Sequence, residues 1–201
     1  MPRDRHQTRD QIVAAAGRLF YGQGIRAVSV DAVAVAAGVT KKTIYYHFAS
    51  KDELIAAYLG SRDQPTLDLY ARWFSATDGS VSEKIRGLFA AFGREAAKPR
   101  WRVCGFMRTT AELANTPGHP AVQAGAAHKK RFEAWLTEAL RHESVTGPAA
   151  VARQIVILLD GAASMMLVHR DVAYVEAAGD IASLLVEHRS ASRIGAMQVF
   201  G

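Results

Sequence analysis

Two short helical frames meet at a glycine within residues 29–51, and no other stretch limits the fold of this chain as tightly. Ser29 can cap a helix, with Asp31 beside that helix's positive end. Val30, Val33, Ala34 and Ala37 give the helix an inner face, and Gly38 stops it. Thr40 then caps a third helix, expected over residues 41–48. Ser50 and Glu53 form a capping-box pattern where a fourth begins. Upstream, Thr8 and Gln11 make the same pattern, so the first helix is expected to start at Thr8. Ile12, Ala15, Ala16, Leu19 and Phe20 follow as one buried stripe, and Gly22 and Gly24 end it. Two short helices across a tight turn, backed by a third, are the geometry of a helix-turn-helix, whose second helix enters a major groove.

Nothing downstream reads as a strand, because period-2 alternation between turn pairs is missing. Pro65 and residues 75–80 mark expected interruptions. Further helices are expected over 82–97, 103–114, 120–142, from Pro148 to about residue 169, and over 171–189, while residues 190–201 carry no strong pattern. The reading is an all-α fold of about nine helices. Residues 1–55 form an N-terminal three-helix DNA-binding domain, and residues 56–201 a C-terminal helical domain for ligand binding and dimerisation.

Charge agrees with a nucleic-acid partner. The chain carries a formal net charge of +6 over 201 residues, and residues 1–62 hold nine Lys/Arg against five Asp/Glu. Most of the surplus therefore sits in under a third of the chain, where phosphates reward it. The single cysteine, Cys104, excludes an intramolecular disulfide and a cysteine zinc site, and fits a reducing compartment. The polar start MPRDRHQTRD lacks the apolar core of a signal peptide. The best apolar run, residues 155–168, is interrupted by Asp160, so no membrane span is expected and the chain is read as cytoplasmic.

The expected recognition helix has suitable chemistry. Ile44 and Phe48, four apart, can anchor it, while Lys41, Lys42, Thr43, Tyr45, Tyr46 and His47 fill the other positions. Lysine, threonine, tyrosine and histidine are good partners for phosphates and base edges. The first-turn amides behind Ser29, Thr40 and Ser50 can receive phosphate oxygens, and Lys51 adds a charge beside one of them. The segment AAGVTKKTIYYHFASKDEL resembles the DNA-binding signature of the TetR/AcrR regulators, and the likeness covers residues 8–58. The resemblance implies that Ser29 touches phosphate and that Thr40, Lys41, Lys42 and Thr43 front the recognition helix. It implies phosphate or sugar contacts, sometimes base contacts, for Tyr45, Tyr46 and His47. It makes Lys51 the phosphate-binding lysine and sets Arg26 before helix two. A second lysine in the Lys41–Lys42 pair replaces the family's usual glycine or proline.

The resemblance also implies an effector site in the body and a homodimer through the last two helices. Val151, Ile155, Leu158, Leu159, Ala162, Met165 and Met166, with Ile181, Leu184 and Leu185, offer apolar surface. The small run Gly161, Ala162, Ala163 and Ser164 lets a partner helix approach closely. Candidate ligand-binding residues are Trp101, Cys104, Phe106, Met107 and Thr110, then Phe132 and Trp135, then Met165, Met166 and His169. Aromatics and methionines suit an adaptable apolar cavity and serve plain cores equally. Cys104 has arginines nearby but no resolving cysteine, so an inert buried thiol is the simpler reading. No HExxH, phosphate-cradling glycine loop or nucleophile elbow is present, and the seven histidines lack metal-ligand spacing. The expectation is a non-enzymatic regulator without cofactor or metal, its partners a near-palindromic duplex operator and a small-molecule effector.

Overall fold

The computed structural model describes the backbone of residues 5–116 and 118–197, and side chains as far as residue 190. Among these residues the chain is all helix: α1 (Arg5–Gln23), α2 (Val30–Ala37), α3 (Lys41–His47), α4 (Lys51–Ser75), α5 (Val81–Ala96), α6 (Gly105–Glu112), α7 (Pro120–His142), α8 (Pro148–His169) and α9 (Ala173–Met197).

Packing divides the chain into two compact units that are not linear stretches. One takes Met1–Pro65 with Cys104–His128, the other Thr66–Val103 with Lys129–Gly201. In the first unit, Ile12, Ala16 and Phe20 of α1 pack with Val33 and Ala37 of α2, Ile44 of α3 and Leu54 and Tyr58 of α4. The same cluster takes in Phe106 of α6 and Ala121 of α7. Gly17 lets α1 lie close on α4, since a Cβ there would stand 3.0 Å from the Tyr58 ring.

In the second unit α9 packs on both α5 and α8. On α5, Ile85, Leu88, Phe89 and Phe92 form one buried face, and a Cβ at Gly179 would meet Phe89 at 2.8 Å, so glycine permits the α5–α9 approach. Ser80 and Glu83 close a full capping box on α5. Of the α8 residues assigned above to a partner surface, Val151, Ile155, Leu159, Ala162 and Met166 are buried in their own chain's core. The exposed face of α8 lies round the helix, at Ile157, Gly161 and Val168.

Several ends differ from the sequence expectation. Helix α1 begins by Arg5, and Gln11 does not serve a capping box: its Nε2 donates to the Ala37 carbonyl at 2.6 Å, tying α1 to the end of α2. Pro65 does not interrupt α4. It deprives only the Ser61 carbonyl of its helical amide, both residues are exposed, and burial of Leu67, Tyr70 and Phe74 holds the helix beyond them. Helix α6 is shorter than expected because Val103 sits at φ 66°, a region β-branched residues rarely adopt, and Cys104 is extended. Helix α9 continues to Met197, through residues in which no pattern was evident. Finally, α8 is, by length and composition alone, apolar enough to cross a membrane, with mean hydropathy 1.6 over its best window. Asp160, expected to break that run, is paired with Lys129 of α7, and the apolar residues named above are buried in the unit.

Candidate nucleic-acid interface

Local hydrogen bonds set the frame. Ser29 precedes α2 in extended backbone, and its Oγ accepts the Ala32 amide at 3.1 Å. Gly38 closes α2 in the left-handed region at φ 62°, and the Val39 amide returns to the Ala34 carbonyl at 3.0 Å. Thr40 Oγ1 accepts the Thr43 amide at 3.1 Å and shares a hydrogen bond with the Thr43 hydroxyl at 2.8 Å. Ser50 Oγ accepts the Glu53 amide at 3.1 Å, while the Glu53 carboxylate takes the Ala49 amide at 2.7 Å rather than that of Ser50. Each cap therefore already occupies one first-turn amide, and fewer amides stay open to a phosphate than the sequence alone suggests.

Helix α3 is pinned by Ile44 and by Phe48 at its end, each 1% exposed. The other positions are exposed or half-buried. Lys41 and Lys42 are exposed, Tyr45 is 48% and Tyr46 66% exposed, and Thr43 and His47 are half-buried. Ser29 and Thr40 are exposed and Lys51 is half-buried on the first turn of α4. The structure thus sets all nine sequence-predicted residues at the surface of one helical unit. Two exposed tyrosines beside two lysines form a surface with hydroxyl and ammonium donors.

The charges are not equivalent. Lys41 Nζ donates to Asp31 Oδ2 at 2.9 Å across α2 and α3; this hydrogen bond, then the carboxylate's charge, raises the lysine's pKa. The His47 imidazole is held below its ordinary range, first by burial, then by the positive charges of Arg5 and Arg9. Those arginines were not among the candidates. The Arg5 guanidinium stands 5.1 Å from the Tyr46 ring centroid and that of Arg9 5.0 Å from the Phe48 ring. With the first helix expected to begin at Thr8, Arg5 had no element to carry it toward the site.

A second feature lies beyond sequence reasoning. Arg108 and Glu112 of α6 pair at 3.4 Å along their own helix and grip the α1–α2 turn. Arg108 donates to the Tyr21 carbonyl at 2.9 Å, and Glu112 Oε2 accepts the Arg26 amide at 3.1 Å. Gly24, at φ 90°, is required there: a Cβ would stand 3.0 Å from both Arg108 Nη2 and Glu112 Oε1. Arg26 thus bonds through its backbone, and its side chain is exposed.

The candidate ligand-binding residues fall in both units. Cys104, Phe106, Met107 and Thr110 belong with the helix-turn-helix, while Trp101, Phe132, Trp135, Met165, Met166 and His169 belong to the other unit. Phe106 stacks on His128 at 3.8 Å, and His128 Nδ1 lies 2.7 Å from Asp63. Thr110 and Met107 are half-buried, as is Cys104 at the α6 N-cap. In the second unit Phe132 stacks with Trp135 at 5.9 Å and meets Tyr70 at 4.5 Å, whereas Trp101 packs on Phe92 at 6.0 Å. Met166 is fully buried and Met165 half-buried. His169 is exposed and stacks on Tyr174 at 5.0 Å. Among the described residues no group of three or more His, Cys, Asp or Glu could hold a metal ion.

Comparison with known proteins converges on one family. The model of bacterial regulatory proteins of the tetR family matches residues 12–58. The chain is 40% identical over 75 residues to the transcriptional regulator TtgR of Pseudomonas putida, covering 37% of this chain and 35% of that one. It is 34% identical over 86 residues to the transcriptional repressor KstR2 of Mycobacterium tuberculosis, 41% of each chain. These matches span a third to two-fifths of the relatives' own lengths. Among solved structures, the TetR-family regulator SCO4454 of Streptomyces coelicolor superposes with a TM-score of 0.75 at 28% identity, over 92% of this chain and 97% of that one. Escherichia coli NemR in its reduced form reaches a TM-score of 0.80 at 18% identity over 90% and 97%, a likeness of fold.

Proposed function

Because this chain belongs to the TetR family of bacterial regulatory proteins, we propose that it is a ligand-responsive transcription regulator: a homodimeric repressor that a small molecule releases from a near-palindromic operator. The observation that carries the reading is α3 itself. A seven-residue helix, held from beneath by Ile44 and Phe48, presents Lys41, Lys42, Thr43, Tyr45 and Tyr46 at the surface of the helical unit.

Docked in a major groove, the front of α3 faces base edges through Lys41, Lys42 and Thr43. Thr40 stands with them at the front of the helix, while Tyr45, Tyr46, His47, Ser29 and Lys51 take phosphates and sugars and fix the register. Two such heads, about 34–36 Å apart, read a site whose symmetry mirrors the dimer. Work on chromosomal DNA puts the protein in the cytoplasm, and the reading calls for no cofactor and no catalysis.

An effector acts by binding one arrangement of the helices better than another; equal affinity for both would release nothing. The α6 grip supports a short route. Helix α6 carries candidate ligand residues on one stretch and holds the α1–α2 turn with Arg108 and Glu112. A ligand that displaces α6 therefore pulls on the helix-turn-helix directly, beside any tilt of α4.

Selection of bound fragments from random duplex DNA tests the reading. The expected product is a palindromic motif bound at least about a thousandfold better than random sequence. Tyr45→Ala with Lys51→Ala should leave a folded dimer with weak affinity for that motif. Fragments retained only at low salt, without an enriched motif, would replace a sequence-reading regulator with a non-specific binder.

A further inference from the structure

We propose that the first turns of α1 form a second strip of the DNA interface, in which Arg5 and Arg9 take phosphates of the duplex backbone beside α3. The inference rests on the DNA-binding reading of α3 and adds contacts outside the helix-turn-helix.

The placement of these arginines is unusual for a helix start. Residues 5, 9, 12, 13, 16 and 20 share one stripe of α1, and from Ile12 onward that stripe is the buried face. A continued apolar face would complete a larger core. Instead the stripe turns cationic where it passes α3. Arg9 lies over Phe48, the residue that pins the end of α3, and Arg5 lies over Tyr46, which is 66% exposed. A guanidinium resting on an aromatic face spends its face and stem on packing and keeps its N–H edges for an oxyanion.

These charges are also uncommitted. Lys41 is engaged with Asp31, whereas neither Arg5 nor Arg9 forms an ion pair among the described residues. Both bear on His47, whose imidazole is held down by burial and then by these same two charges, so unneutralised positive potential converges on this corner of the unit. A ring stack also removes part of the rotamer freedom that a free arginine would lose on binding. The ligand that answers this pattern is a row of phosphates running past the end of α3.

The salt dependence of binding reads the contact directly. Each phosphate neutralised contributes about 0.9 to the slope of log affinity against log salt. Arg5→Gln and Arg9→Gln keep the stems and remove the charge. On the selected operator, the double variant should lose about two units of slope and bind all sequences more weakly, with the ranking of base substitutions unchanged. Arg5→Lys with Arg9→Lys should keep the slope, and a wild-type helical spectrum and melting curve for the Gln pair should show that its loss is not unfolding. A wild-type slope in the double variant would overturn the inference and leave the reading of α3 standing. A wild-type protein that binds no duplex would overturn both.

Discussion

Lys41 and Lys42 are adjacent in sequence and opposite in circumstance. Lys41 is held by Asp31 at 2.9 Å; Lys42 is exposed and makes no ion pair among the described residues. The Lys41–Asp31 pair is solvated, and such pairs add little to stability. Its larger effect is on what Lys41 offers a phosphate or guanine. Asp31→Asn should raise DNA affinity for all sequences and steepen the salt slope by about one, as Lys41 becomes free to neutralise a phosphate. An unchanged slope would mean that Lys41 does not reach DNA. His47 supplies a pH dependence. Its pKa in the free protein is below the ordinary value near 6.5, owing to burial and then to Arg5 and Arg9. A phosphate beside the ring favours the imidazolium, so the complex binds the proton at a pH where the free protein does not. Affinity should therefore rise as pH falls through about 6.5, and His47→Gln should flatten that rise in a binding titration. Folding responds with the opposite sense: the unfolded chain protonates first, so His47 lowers stability as pH falls through the same window.

The elements whose ends are set by their own neighbours were legible, and those set by distant contacts were not. Ser29, Gly38 and Thr40 act within four residues, so α2 and α3 follow from local caps and left-handed closure. Gly38 is purely a backbone requirement, since a Cβ there would meet nothing within 4 Å. Gly38→Ala should thus cost only the left-handed penalty, about 1–2 kcal/mol. Ile44→Ala, which empties a site 1% exposed, should cost about 2–5 kcal/mol. Melting curves of the two variants would separate them, and equal losses would refute a turn without side-chain contacts. In contrast, the Arg26 amide finds Glu112 across 86 residues, a pairing that no local pattern announces. The six α3 positions were readable because Ile44 and Phe48, four apart, take the helix's inward face, and Ser29 and Thr40 because they cap their helices. Arg5 and Arg9 were not, because their meaning depends on which rings lie beneath them.

At the scale of the whole molecule, the proposed homodimer needs a surface for a second copy, and it is expected to use the faces of α8 and α9 that the chain's own core leaves open. On α8, Ile157, Gly161, Ser164 and Val168 recur at four, three and four residues, with Ile157 64% and Val168 68% exposed. On α9, Tyr174, Ala177, Ile181 and Leu184 recur at three, four and three residues, with Ile181 50% and Leu184 59% exposed. Apolar stripes of this kind on neighbouring helices suit a two-fold four-helix interface, and Gly161 and Ser164 let the α8 helices approach. A two-fold axis brings each substitution in twice. Leu184→Lys with Ile181→Lys therefore sets four ammonium groups in or beside one apolar seam, while in the isolated chain the same side chains are solvated and unfold nothing. Leu167 makes a matched control: it is 52% exposed on α8 but stands about 80° round the helix from Ile157. Light scattering should find the Lys pair monomeric at its wild-type melting temperature, and Leu167→Lys still dimeric. Operator binding should follow the assembly. The monomer keeps one recognition helix and its contacts, so it should bind a half-site as the wild-type head does and lose the gain that comes from joining two heads on one duplex. A Lys pair that stayed dimeric would move the interface off these stripes. A monomer that bound the full palindrome as tightly as wild type would show that the two heads do not act together.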